Sequence, residues 1–505
     1  MLILICTLTF MNISFAQEKN LGIFQHSGDF GNPENSGSTA YNESTQTYTI
    51  KGSGYNIWFE RDEFHYVYDE LRGDFILTAN FEFIGKGVDP HRKIGWMVRE
   101  STAEDAVHMS AVYHGDGLTV LQWRAGKGQA MRDPEDQIFS AKTNVQVIQL
   151  ERKAGEFTMR VAYPGESLQE VGSQALKNMP DEVIAGIFIC SHNPEVIEEA
   201  KAWNVRIEKP VLEGYNPYEE GFLGSRLEIM NVFDGKRKVI HQSDTGFEAP
   251  NWMPDGNHLL FNSMGKLYKI SVEGGEPVLL NTGFADRNNN DHGISFDGKK
   301  LAISHHREGF PGGGSTIYVL PVTGGEPKQV TERTPSYWHG WAPNNKEVVY
   351  VAQRDTSIYN IYRKNITGGN EEQLTFNKKA HADGPEYTPD GKYIYYNSSV
   401  TGTMQIWRMK PDGSSQEQVT FDENQDWFPH ISPDGKWIVF ISFPPEVPAN
   451  DHPAYKRVEL KLMPVSGGVP RVIAYLYGGQ GTINVPSWSP DSQHIAFMSN
   501  PGRKE

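Results

Sequence analysis

A chain of 505 residues is too long for one hydrophobic core and predicts two or three domains. Its 50 glycines, 30 prolines and 11% aromatic residues suit many short strands joined by tight turns. A formal charge of −16 excludes nucleic-acid binding through a general basic field, while leaving room for a local basic pocket.

The first element is an apolar stretch from Leu2 to Phe15, ending in Ser14-Phe15-Ala16 before Gln17. Small residues three and one positions before a cut suit a signal peptidase, so residues 1–16 are expected to be a signal peptide. The stretch is short for a membrane span and no later segment is long enough. Export to the periplasm or beyond is the expectation, with no membrane span. Cleavage leaves Cys190, inside VIAGIFIC, as the single cysteine and a buried structural thiol.

Residues 20–208 carry alternating runs: FILTANFEF (75–83), KIGWMVRES (93–101), HMSAVYHGDGLTVLQWR (108–124) and VQVIQLERKAGEFTMRVAY (145–163). Apolar–polar alternation predicts half-buried antiparallel strands at sandwich spacing, with hairpins at Gly115-Asp116-Gly117 and Lys153-Ala154-Gly155-Glu156. Trp96, His108, Tyr113 and Trp123 are expected to pack the core, and Arg99-Glu100 to form a solvated pair. IGWMVRES followed by HMSAVYHGDGLTVLQWR resembles the concanavalin-like jelly rolls of laminin-G-type domains. That resemblance implies an N-terminal jelly roll attached to a glycan-processing protein.

Residues 209–224, KPVLEGYNPYEEGFLG, read as a linker. The rest, 225–500, is periodic. A Pro-Asp-Gly-like turn recurs with its central residue at 255, 297, 344, 390, 434 and 491, and a second, Gly-Gly-like turn follows each of the first five. Each unit supplies four antiparallel strands, which is one propeller blade. The last unit holds only inner strands, and the half-repeat RLEIMNVFDGKRKVIH (226–241) only outer ones. Joined, they complete a sixth blade and leave no open sheet edge. The predicted fold is all-β: a sandwich followed by a six-bladed propeller.

The turns stand as NWMPDG, GISFDG, GWAPNN, EYTPDG, HISPDG and SWSPDS, and resemble the W-S-P-D-G turn of TolB-like propellers over about residues 225–500. The resemblance implies a protein-docking role at the cell envelope. A similarity also extends to oligogalacturonate lyases, whose related propeller implies a histidine-rich metal site.

Strand direction places the start of each innermost strand on the same face as the second-to-third loop. His292, His305, His306, His339, His381, His430 and His452 fall on that face, with Arg287, Asp291, Arg307, Trp338, Asp383, Glu386, Asp426 and Trp427. His292 and His339 both stand five residues before a turn centre, and Glu386 and His430 both stand four before one. Imidazole and carboxylate converging from different strands suit a divalent metal (Mn, Zn or Ca) held by His292, His339 and His430. The same three histidines suit general acid–base work, with the remaining residues binding ligand. Trp338 and Trp427 read equally as sugar-stacking platforms or blade packing.

Three functions stay open at this point. One is an exported protein that binds oligo- or polysaccharide. Another is a lyase or glycoside hydrolase acting on an acidic glycan, with Arg287, Arg307 or a metal neutralising the sugar carboxylate. In the third, the propeller is a scaffold for an envelope protein. No Gly-x-Ser-x-Gly, phosphate loop, Rossmann fingerprint or His-Glu-x-x-His occurs, which sets aside the enzyme classes that need them.

Overall fold

The computed structural model describes residues 20–502, so the expected signal peptide lies outside the described residues. Two seven-stranded antiparallel sheets precede six smaller ones. The first runs in the order His26–Phe30, Phe64–Arg72, Glu182–Cys190, Lys93–Arg99, His108–His114, Thr119–Arg124, Gln137–Phe139. The second runs Gln169–Ala175, Glu156–Ala162, Val147–Lys153, Phe75–Ile84, Glu198–Glu208, Thr47–Gly52, Ser38–Asn42. Leu77 and Leu150 from the second sheet and Trp96 and Ile187 from the first share one buried cluster, so the sheets pack face to face.

The first sheet departs from simple alternation. Every residue of Lys93–Arg99 is buried, because loop residues Ile57 and Met131 close a further apolar cluster over Met97, Val112 and Phe188. That cover also removes the expected solvated pair. Arg99 is fully buried and its Nη1 donates to Asp62 at 2.6 Å, where Arg124 donates to the same carboxylate at 2.6 Å. Two guanidinium groups on one carboxylate satisfy charges that water cannot reach. Cys190 is also fully buried, and burial pushes its thiol up to about 11.

Five four-stranded sheets and one three-stranded sheet form the six-bladed propeller. Blade 1 begins with Glu248–Trp252, blade 2 with Asn288–Ile294, blade 3 with Ser336–Trp341, blade 4 with Ala382–Tyr387 and blade 5 with Gln425–Ile431. Blade 6 joins His494–Ser499 to Ser225–Asn231 and Arg237–Ser243, so the two ends of the repeat region close the ring. Its innermost strand is reduced to a single bridge, Trp488 to Ile495. The recurring turns share one device. In four of them a Ser or Thr hydroxyl (Ser295, Thr388, Ser432, Ser489) donates to the Asp two residues on, at 2.5–2.7 Å. The next residue turns left-handed, which favours Gly at 256, 298, 391 and 435; Asn345 and Ser492 take that conformation at φ 57° and 61°.

The segment 209–224 is no free tether. Val211, Tyr215, Phe222 and Leu223 pack against Tyr455 and Tyr477 of blade 5. A short helix, Pro217–Glu220, is capped by Asn216. The second N-terminal sheet also meets the propeller directly. Gln46 exchanges two hydrogen bonds of 2.9 Å with the Val239 backbone, and Val472 N–H donates to Gly165 at 3.0 Å. The outer strand of blade 5, Arg471–Gly478, runs eight residues where those of blades 1 to 4 run two, and this docked edge is where it lengthens.

Candidate functional site

Each innermost strand of blades 1 to 5 carries a bulge near its start. Register slips occur between Glu248 and Asn251, Asn288 and His292, Trp338 and Gly340, Asp383 and Glu386, and Trp427 and His430. A bulge bends its strand and re-aims the side chains beside it. Three bulges hold a residue at positive φ: Ala249 (55°), Gly384 (57°) and Phe428 (53°). The repeat therefore delivers equivalent side chains to one place. Counting back seven from five of the six turn centres gives Glu248, Asn290, Tyr337, Asp383 and Asn484, while the centre at 434 gives Trp427, which packs internally. All five line one cavity of about 450 Å³.

Asp291 deepens the acidic lining, Phe428 and Tyr359 add aromatic wall, and His306 and His452 come from the loops between the second and third strands of blades 2 and 5. Tyr218 and Phe222 from the connecting segment complete it. Burial, with the charge of Asp291 next, pushes the Glu248 carboxyl up to about 7. Burial likewise pushes Asp291 to about 6, with His339 working against the rise and Asp383 adding to it. His339 donates from Nε2 to Asp383 at 3.0 Å. Burial opposes a charge on His339, but Asp291 and the bonded Asp383 outweigh it and raise its pKa. Asp383 is held low: burial would raise it, and the His339 bond and charge prevail. Two acceptors stay without a partner, Glu248 Oε1 and Asn288 Oδ1.

Of the residues singled out from the sequence, Asp291, His306, Asp383 and His452 line this cavity, and His339 touches it through Asp383. His305 stands opposite Asn288 in the strand register and accepts the Arg287 N–H at 3.3 Å; His381 accepts that of Tyr359 at 3.4 Å. So the two ends of the blade 2 hairpin do meet, but through Asn288 and His305 rather than through His292.

Among the described residues His292, His339 and His430 do not group as metal ligands. His292 is fully buried, donates from Nδ1 to the Asn290 carbonyl at 3.0 Å, and is pushed down to about 4 by burial. His430 bridges Glu386 at 2.7 Å and the Ile483 carbonyl at 2.6 Å. Among the described residues no three His, Cys, Asp or Glu side chains group to hold a metal ion. Equal offsets misled because the bulges differ: His339 is the extra residue of its bulge, whereas His292 is paired with Ile303.

Trp338 and Trp427 are each 1% exposed and present no open face to a sugar. The Trp338 ring lies where a Cβ on Gly293 would be 2.0 Å away, and Trp427 meets His452 edge-on at 4.4 Å. The two arginines expected to meet a sugar carboxylate lie outside this cavity. Arg287 pairs with Glu308 at 2.7 Å and Arg307 sits over Phe310 at 3.8 Å; neither lines the cavity. Asp426 is buried against Ser442 at 2.6 Å. Glu248, Asn288, Tyr337 and Tyr359 escaped the sequence reading, although a seven-residue offset would have found Glu248 and Tyr337. Nothing in the sequence marks Tyr218 or Phe222 as wall residues.

A family model described as the TolB beta propeller domain matches residues 310–452. The uncharacterised protein Atu1656 of Agrobacterium fabrum is 47% identical over 279 residues, covering 55% of this chain and 93% of that protein. The chain belongs to the TolB-like β-propeller family. A solved Agrobacterium tumefaciens protein provisionally described as TolB is 47% identical, with a TM-score of 0.52, over 55% of this chain and 97% of that one. The Tol-Pal system protein TolB of Francisella tularensis (strain WY96-3418) is 27% identical over 273 residues, 52% of this chain and 59% of that relative. The TolB-like match thus spans little more than half of this chain. Among the described residues no helix is long and apolar enough to cross a membrane.

Proposed function

We propose that this chain is an exported TolB-like docking scaffold that holds a protein of the cell envelope at the mouth of its propeller channel. The observation that supports it is the recessed cavity to which five blades, the segment before blade 6 and the connecting segment all contribute, on a propeller of the TolB-like family. A rigid ring presenting loops around a pocket is a common binding arrangement. In the same reading the two N-terminal sheets are a concanavalin-like jelly roll, and the chain works in the periplasm or outside the cell.

The acidic-glycan reading loses its physical support. A uronate would bring its carboxylate against Asp291 and Asp383 with no arginine facing it. Like charges brought together in a desolvated site repel strongly. The metal that could have offset this has no ligand group among the described residues.

The test is photo-crosslinking in the host cell from an aryl azide side chain placed at Tyr359. A discrete adduct with one envelope protein, lost when Asp383→Asn is added, is the expected result. The reading fails if no envelope protein is captured and the purified chain instead releases ultraviolet-absorbing unsaturated uronates from an acidic polysaccharide.

A further inference from the structure

We infer that the cavity receives a cationic side chain, lysine or arginine, of the docked partner, with Asp291, Glu248 and Asn288 taking its N–H groups. This deepens the docking reading and rests on it for the source of the cation.

The first observation is what the cavity lacks. Glu248, Asp291 and Asp383 line it, yet among the described residues no lysine or arginine does. Elsewhere this chain partners its buried carboxylates with its own basic groups: Asp62 with Arg99 and Arg124, Glu198 with Arg92, Glu228 with Arg206. Nearby Arg287 and Arg307 are occupied outside the cavity.

The second observation is independent of the acids. Asn288 is 5% exposed, and its amide nitrogen is fixed by the carbonyls of Gly265 (2.9 Å) and Ala285 (2.8 Å). That fixes its orientation, and Oδ1, an acceptor, has no partner. Glu248 Oε1 is a second such acceptor. A buried acceptor left unmade costs about 1–3 kcal/mol, so the site favours a ligand rich in donors. Ammonium and guanidinium are donors only.

The walls agree. Tyr218, Tyr337, Tyr359, Phe222 and Phe428 surround the acids. Aromatic faces attract a cation and accommodate the aliphatic stem of a lysine or arginine. The raised carboxyls of Glu248 and Asp291 mean that an entering cation displaces protons to the solvent, which is itself measurable.

The experiment uses the full-length mature protein and titration calorimetry. The probes are acetyl-Gly-Gly-Lys-Gly-Gly-amide, its arginine counterpart, and the lysine peptide acetylated at Nε. The lysine or arginine peptide should bind, the acetylated one about tenfold or more weaker, since removing the charge removes both ion pairing and cation–π attraction. Binding should release protons, so that the apparent enthalpy changes with the ionisation enthalpy of the buffer. Asp291→Asn and Glu248→Gln, each with unchanged thermal unfolding, should each weaken the basic peptide about tenfold. Equal affinity for the acetylated peptide, or binding insensitive to both substitutions, overturns the inference. If envelope-protein crosslinking persists while no basic peptide binds, this inference fails and docking stands. If basic peptides bind but no envelope protein is captured, the docking reading fails and cation recognition stands.

Discussion

Glu228 and Glu248 stand in adjacent blades, Glu228 fully buried and Glu248 half-buried. Glu228 lies at the seam between the second N-terminal sheet and blade 6. Arg206 donates to it at 2.6 Å from the N-terminal side, Arg237 approaches at 3.6 Å, and Ser499 donates at 2.6 Å. Burial alone would raise its carboxyl, yet the arginines hold it down to about 2. Glu248 lines the channel mouth with no basic partner, and burial carries it to about 7. Where a charge serves the fold, the partner comes from the same chain. An acid left without one, beside an unsatisfied Asn288, is available to something else.

The strongest way to break that comparison is Glu228→Ala. It leaves Arg206 and Arg237 buried without their anion and should cost about 3–5 kcal/mol in urea unfolding, whereas Glu248→Gln should cost less than about 1 kcal/mol. A Glu228 variant as stable as the parent would remove the distinction between the two sites.

The pH dependence sharpens it. Glu228 has a depressed folded pKa, so its contribution is present above its ordinary value of 4.5 and is lost as pH falls towards about 2. Glu248 has a raised one: the folded chain holds the proton more tightly than the unfolded chain between 4.5 and about 7, and stability declines as pH rises through that window. The urea midpoint of Glu248→Gln should therefore be flatter than the parent's from 4.5 to about 7, measured by far-ultraviolet circular dichroism. Parallel profiles would count against the raised carboxyl.

Binding should run the other way. As Glu248 and Asp291 ionise between about pH 5 and about pH 8, affinity for n-butylammonium should rise severalfold. Asp383, His339, His306 and His452 also face or adjoin this space. The His339–Asp383 bond favours the charged form of both partners, whose opposite charges offset one another. Affinity that is flat or falling with pH contradicts this account. The smallest effect belongs to Arg287→Ala. Its pair with the exposed Glu308 is solvent-screened, so stability should change by less than about 0.5 kcal/mol and basic-peptide affinity should not fall. A loss of basic-peptide affinity in this variant would put Arg287 in the site after all.

Much of this architecture is legible in the residues. The turn centres at 255, 297, 344, 390, 434 and 491 mark the blades, and the half-repeat at 226–241 marks the closure. Strand direction puts Asp291, Asp383 and His306 on one face, and all three line the cavity. It does not separate His339, whose side chain reaches Asp383, from His292, which packs internally. That difference is set by which residue each bulge leaves unpaired. Trp338 and Trp427 look alike as stacking platforms or packing, and the neighbouring blade decides for packing.

Periodicity, turn chemistry and alternation are local properties, so the sequence by itself determined an all-β chain, its six-bladed ring and the face that carries the cavity. Charge partnership is not local. Arg99 and Arg124 reach Asp62 because loops fold over the first sheet, and Arg206 reaches Glu228 across the seam. Among the described residues no lysine or arginine pairs with Glu248, and Tyr218 and Phe222 become walls because their segment packs on blade 5. Only the tertiary structure decided these, since whether a buried carboxyl is ionised depends on groups that approach it in space, which in these pairs stand 22 to 62 residues away along the chain.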